Sequence, residues 1–533
     1  MEAGGIQALQ MVFLLLLLFV VAFGALARKL ATPYPIVLVL AGLLLSFVPG
    51  TPKVTLHPDV IFFVVLPPLL YSAAWLTSWR EFSYNLVSIL FLAFGLVLFT
   101  VFGVAAVAPW FFPGFDWRMG FVLGAVVAPT DAIAATSIAK RVGLPKRIVD
   151  VLEGESLVND ASGLLALEFG IAMLVRGETA TISTGLARLV YLTTAGLAVG
   201  LLMGVIVNWV EERIDHGPVE IGLSIMVPYA AYLLADSIHA SGVLSVVACG
   251  LYLSRKSSSF FSPSVRLQAW AVWDSLTFIL NGLVFVLIGL QLPNVLQGIR
   301  DHSLRELLLY GSIFSALLIA LRVFWVFPGA YAANLIRRRV LHQKEPLPPA
   351  RQIFIVGWTG MRGVISLAAA IALPQTLANG EPMAQRDLII FLTFSVILVT
   401  LVLQGLTLPP LVRALGLAVA GGRNTEEEQA RRIVLEAALG HLKTVRAADG
   451  SALDEIYDDL EQHYRHRLAT LKGDVSDIHT DHHRRFVRLS RELLRVERQT
   501  AVRLRNEGRI NDELLRDLER ELDLSETRFL GGS

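Results

Sequence analysis

The stretch Leu157–Val175, LVNDASGLLALEFGIAMLV, has the length and apolar character of a membrane-spanning helix, yet it carries Asn159-Asp160 near its start. A carboxylate at bilayer depth costs about 2.5 to 3.5 kcal/mol on insertion scales, so its presence needs a functional reason. Upstream, the apolar stretch 119–139 is interrupted by Pro129-Thr130-Asp131, a helix breaker beside a second acid. Two nearby spans, each with an acid and one of them broken, suggest an ion path through a membrane.

Composition agrees. Of 533 residues, 54% are hydrophobic and 17% charged, whereas soluble domains are about 25% charged. The lone Cys249 excludes a disulfide framework and a cysteine zinc site. The amino-terminal run 11–27 lacks a basic region before it and reads as a retained first span, not a cleaved leader. Continuous apolar runs without alternation exclude a membrane β-barrel.

A helix needs roughly twenty apolar residues to cross a bilayer, which gives about thirteen spans. They are expected near 11–27, 33–49, 60–76, 84–108, 119–139, 156–175, 185–209, 219–235, 241–254, 269–291, 306–327, 353–373 and 388–413. Arg28-Lys29, Arg80, Lys140-Arg141, Arg255-Lys256 and Arg337-Arg338-Arg339 fall in alternate connectors, which the positive-inside rule places in the cytoplasm. The amino terminus is then outside and the carboxyl terminus inside. Residues 1–420 form the expected membrane domain. After the breaker Gly421-Gly422, residues 421–533 turn charge-rich with helical periodicity and are expected to form a cytoplasmic helical tail.

Polar residues inside the spans form the candidate site. Proline at 129 frees a backbone carbonyl, and Thr130 adds an oxygen. Asp131 either lines the ion path or caps the half-helix that follows the break, and both roles are compatible. At helical pitch Glu155, Ser156, Asn159 and Asp160 share a face. That face offers the oxygen ligands a hard cation prefers. A buried carboxyl that holds a proton or a cation, but not both, can exchange one for the other. In Gly360-Met361-Arg362-Gly363, an arginine between glycines in an apolar span either pairs with an acid or snorkels to the interface. In the tail, His479, His482 and His483 lie beside Asp477 and Asp481; a solvated helix face accounts for them, and no ligand is assigned there.

At this point the chain resembles a known family. Leu66-Pro67-Pro68-Leu69-Leu70-Tyr71, Pro129-Thr130-Asp131, Glu153-Gly154-Glu155-Ser156-Leu157-Val158-Asn159-Asp160, Tyr232 to Gly242 and Gly360-Met361-Arg362-Gly363-Val364 look like the sodium/proton exchangers. More closely, they are similar to bacterial members of the monovalent cation:proton antiporter-1 family. The resemblance covers residues 10 to 415 and implies an all-α polytopic fold: two six-helix inverted repeats with unwound, crossed fifth and twelfth spans, assembled as a homodimer in a bacterial plasma membrane. It implies Asp160 as the carboxylate binding the transported Na+ (or Li+) or H+, and Ser156 and Thr130 as neighbouring oxygen donors. Asn159 matches the position tied to electroneutral exchange, and Asp131 would offset half-helix dipoles at the crossing. Glu155 and Arg362 would form a buried structural ion pair. Where some relatives carry an acid after Leu-Pro-Pro, this chain has Tyr71 and Ser72.

The implied activity is secondary antiport by alternating access, with no cofactor and no enzymatic step. The absence of a Gly-x-x-x-x-Gly-Lys-Ser/Thr phosphate loop agrees. Potassium is the alternative cargo, since both ions want oxygen ligands. A passive cation channel is a more distant alternative. An intramembrane aspartyl protease would need Tyr-Asp and Gly-x-Gly-Asp settings, which neither Asp131 nor Asp160 has.

Overall fold

The computed structural model describes residues 3–30, 32–49, 56–176, 182–299, 303–343, 346–377, 382–383, 385–418, 425–449, 454–472 and 477–507, with a few further positions up to 524. Among these residues the structure is helical, with no strand beyond one isolated bridge. The chain divides into two compact units, Met1–Val419 and Ala420–Ser533.

The first unit begins with α1 (Ala3–Lys29), α2 (Tyr34–Leu45) and α3 (Leu66–Leu76), the last entered through a π-helical turn, Val60–Val65. Next come α4 (Trp79–Leu90) and α5 (Val97–Phe111), joined by a second π segment, then α6 (Trp117–Val127), α7 (Ala132–Val142) and α8 (Lys146–Arg176). They are followed by α9 (Ile182–Glu211), α10 (Gly217–Ser237), α11 (Gly242–Phe260), α12 (Pro263–Leu290), the short α13 (Leu292–Gln297) and α14 (Leu304–Arg339). The unit ends with α15 (Ala350–Trp358), α16 (Val364–Ile371), α17 (Arg386–Val399) and α18 (Gly405–Ala414). Each span expected from the sequence overlaps one of these helices or a consecutive pair. Eight helices among the described residues are long and apolar enough to cross a membrane, and shorter apolar helices accompany them.

Local chemistry sets the boundaries. Asp116 caps α6 by accepting from the Met119 amide at 2.8 Å. Ser303 and Glu306 form a reciprocal capping box at the start of α14, whose other end carries Arg337, Arg338 and Arg339 against the carbonyl-rich terminus. The α7 helix stops at Gly143, whose φ of 73° suits glycine. Trp79, Trp110, Trp117 and Trp209 lie at or near helix ends with exposed rings, as in the aromatic belts of membrane interfaces.

Packing sorts the helices into two sets. In one, α1 and α2 lie on α12, while α9, α10 and α3 surround α11. Helices α2 and α12 approach so closely that a Cβ on Gly42 would meet the Gly289 Cα at 3.2 Å. In the other, α8 is covered by α4, α6 and α7, and α14 packs on α15 and α17. The second unit consists of α19 (Thr425–Asp449), α20 (Asp454–Lys472) and α21 (Asp477–Asn506). Within it α19 packs on α20, and Arg446 reaches Asp458 at 2.8 Å. His479, His482 and His483 lie on α21, but their side chains fall outside the described residues.

Candidate ion site at two crossed helix breaks

Two interruptions face each other. Residues 128–131 separate α6 from α7, and residues 359–363 separate α15 from α16. Each break leaves backbone groups that lipid cannot satisfy, so their partners must come from protein. The Asp131 amide donates to the Met361 carbonyl at 2.9 Å. The Arg362 guanidinium donates to the carbonyls of Ala128 and of Pro129, the latter at 3.0 Å, while its amide donates to Thr400 Oγ1 at 3.1 Å. A cation therefore sits at the negative end of α6. The Asp131 carboxylate accepts from the Ile133 amide at 2.8 Å at the positive start of α7. The capping reading of Asp131 is what the geometry shows, and the residue also lines the cavity described below.

Gly363 makes the crossing possible. A Cβ there would lie 2.5 Å from Asp131 Oδ2 and 2.7 Å from its Cβ. Gly363→Ala is expected to destabilise by about 1–3 kcal/mol, the usual range for overpacking. The check is thermal unfolding in detergent; wild-type melting would mean that the crossing gives way without strain.

The face of α8 is assembled as its spacing requires. Ser156 Oγ donates to the Thr130 carbonyl at 2.8 Å, and Asn159 Nδ2 donates to Thr130 Oγ1 at 2.6 Å. Thr130 Oγ1 in turn donates to Glu155 Oε1 at 3.3 Å. Thr130 thus spends its hydroxyl and carbonyl on holding α8 against the break. Asp160 is different: it is 3% exposed, and its Oδ1 has no hydrogen-bond partner among the described residues. Such a buried acceptor is costly unless a proton or cation comes to it.

Asp160 borders a cavity of about 380 Å³. Asp131, Thr130, Ser156 and Ser72 also line it, as do Lys140 and Glu153, which pair at 2.8 Å. The cavity lies between the two helix sets, since α2, α3 and α12 contribute one side and α7, α8 and α16 the other. Among the described residues no group of three or more His, Cys, Asp or Glu side chains could hold a resident metal.

One expectation needs correcting. Glu155 does not pair with Arg362; its partner is Arg322 on α14, bound through both nitrogens at 2.6 and 2.9 Å. Arg362 has helix-end carbonyls as its hydrogen-bond partners instead, because the broken helix brings it to the end of α6. Both members of the Glu155–Arg322 pair are nearly inaccessible, at 1% and 2%. Sequence reasoning passed over Arg322 although it is the one basic residue of the apolar span 306–327. It gave no role to Ser366, a cavity-lining residue of α16 whose buried Oγ has no partner among the described residues.

Comparisons with known proteins show the family and the fold. Residues 14–414 match the family described as sodium/hydrogen exchanger, transmembrane. The chain is 35% identical over 506 residues to an uncharacterized Na(+)/H(+) exchanger of Mycobacterium bovis, covering 93% of this chain and 92% of that one. It is 31% identical to the Na(+)/H(+) antiporter ApNhaP of Aphanothece halophytica, over 78% of this chain and 76% of the relative. It is also 32% identical to a sodium, potassium, lithium and rubidium/H(+) antiporter of Bacillus pumilus, over 83% of this chain and 66% of the relative. The fold is similar to that of the sodium proton antiporter MjNhaP1 from Methanocaldococcus jannaschii, with a TM-score of 0.56 at 19% identity, covering 76% of this chain and 99% of that one. The matched segment contains both helix breaks, Asp160 and the Glu155–Arg322 pair, and the chain belongs to the sodium/hydrogen exchanger family.

Proposed function

We propose that the protein exchanges Na+ or Li+ for H+ across the bacterial plasma membrane, with Asp160 as the group for which the two ions compete. The observation that carries this reading is the buried Asp160 carboxylate, one oxygen unpartnered among the described residues, on a cavity wall midway along a helix long and apolar enough to span a membrane. With a proton or a cation bound, the carboxylate is neutralised and the site can reorient. Empty, it would drag a bare charge through a dry barrier, which is strongly disfavoured. That difference enforces coupling without ATP.

Stoichiometry follows from the neighbours. Asn159 beside Asp160 is neutral, and its amide is committed to Thr130. One carboxylate trading one proton for one monovalent cation makes the cycle electroneutral. Asp131 stays at its capping position, and Ser156 and Thr130 hold the break in register. In this reading the amino terminus is outside, the carboxyl terminus is cytoplasmic, the protein works as a homodimer, and the helical tail regulates transport.

Purified protein in liposomes with an imposed pH gradient and an internal pH dye tests the proposal. Sodium or lithium is expected to collapse the gradient, and clamping the membrane potential with valinomycin and potassium should leave the rate unchanged. A response to potassium alone would transfer the cargo to that ion, whose transport is part of the Bacillus pumilus relative's name. Silence with every cation overturns exchange.

Competition also fixes a sign. Acidification protonates Asp160 and removes it as a cation ligand. The apparent KM for Na+ is therefore expected to rise as pH falls, by up to tenfold per pH unit where the proton dominates occupancy. A KM independent of pH would separate the two ions' sites.

A further inference from the structure

The α12 side of the cavity carries a group that nothing above uses. Asp274 lies eleven residues beyond the start of α12 at Pro263, about 16 Å along the helix at 1.5 Å per residue. Its side chain is exposed and lines the same cavity as Asp160. No hydrogen bond or ion pair to its carboxylate is found among the described residues. A carboxylate without a partner among the described residues, inside an apolar span, is stable only where it meets water or a cation.

Its surroundings are built for a cation. Asp274, Thr277 and Asn281 are spaced to share one face of α12, and all three line the cavity. Across from them, at the start of α2, Tyr34 lines the same cavity. The only lysine on the lining, Lys140, already pairs with Glu153. The remaining formal charges, those of Asp131, Asp160 and Asp274, are all acidic. A cleft lined with one sign of charge between apolar walls concentrates counter-ions.

We propose that Asp274, with Asn281 and Tyr34, forms a recruiting station for a partly hydrated monovalent cation on the α12 wall, from which the ion passes to Asp160. The two carboxylates belong to different helix sets, so the station acts before the ion is held by the crossed breaks. Asp274 is a positioning residue for delivery, not the group over which proton and cation compete. This inference rests on the exchange reading above.

The test is initial rates of Na+-driven proton movement in proteoliposomes for wild type, Asp274→Asn and Asp274→Glu. At low ionic strength Asp274→Asn is expected to raise the apparent KM for Na+ about tenfold, the low end of the concentrating effect of a charged cleft, with the maximal rate within about twofold. Asp274→Glu restores the wild-type KM. Adding choline chloride shrinks the gap, because the Debye length falls from about 10 Å at 0.1 M to about 3 Å at 1 M. A wild-type KM in Asp274→Asn at low salt overturns the station while leaving exchange intact. Loss of maximal rate in both variants, with wild-type melting, would overturn it by placing Asp274 inside the exchange step. Wild-type protein that moves no alkali cation overturns the exchange reading and the station together.

Discussion

Replacing Asp160 with asparagine is expected to reduce cation-driven proton movement to background while leaving thermal stability at or above that of wild type. The side chain is 3% exposed, and one oxygen has no partner among the described residues. In the resting protein it contributes no hydrogen bond through that oxygen, yet it carries the cost of burying a charge. Asparagine keeps the shape and removes the charge, so the fold loses little. Exchange loses everything: an amide neither binds and releases a proton in this pH range nor neutralises a sodium ion. Melting temperature measured alongside proteoliposome transport separates the two effects. A well-folded Asp160→Asn protein that still couples Na+ to H+ would remove Asp160 from the mechanism and sink the proposal. Collapse of the fold would instead show that the carboxylate is structural.

How much was legible beforehand differs by element. The spans were legible because lipid solvation forces long apolar runs, and α9 or α14 could hardly be read otherwise. The break at 128–131 announced itself through Pro129, and that at 359–363 through paired glycines. The α8 face was legible because helical periodicity alone brings Glu155, Ser156, Asn159 and Asp160 together. Pairings between distant helices were not. Arg362 and Arg322 are each the one basic residue of an apolar span, and spacing cannot say which meets Glu155 when the helix carrying one of them is broken. The Asp274–Thr277–Asn281 stripe was not singled out from the sequence, because helical spacing alone does not say that this face of α12 lines the cavity. Nothing in the sequence marked the Ser366 hydroxyl as one without a partner among the described residues, because serine in a span usually bonds its own helix.

Breaking the Glu155–Arg322 pair is expected to have the largest effect on stability. Arg322 on α14 binds Glu155 on α8 through both nitrogens, and one of them also donates to the Val356 carbonyl on α15 at 3.1 Å. The same carboxylate accepts from Thr130 at the first break, and a Cβ on Gly360 at the second would collide with the Arg322 side chain. One ion pair thus holds three helices and both breaks in register. Its net worth relative to apolar residues is small, because desolvation offsets attraction, but removing one partner strands the other in a dry interior at about 3–5 kcal/mol. Arg322→Met and Glu155→Gln should each lower the melting temperature sharply. The double variant should lose clearly less than the sum of the two, since it strands no charge. Strict additivity would mean the groups do not act as a pair, and wild-type melting of either single variant would mean the pair does not hold the crossing. At low temperature the surviving folded fraction of Glu155→Gln should retain Na+-dependent proton movement, because Asp160 is untouched. That residual activity, set against the inactive but stable Asp160→Asn protein, distinguishes the group that holds the site from the group that exchanges the ions.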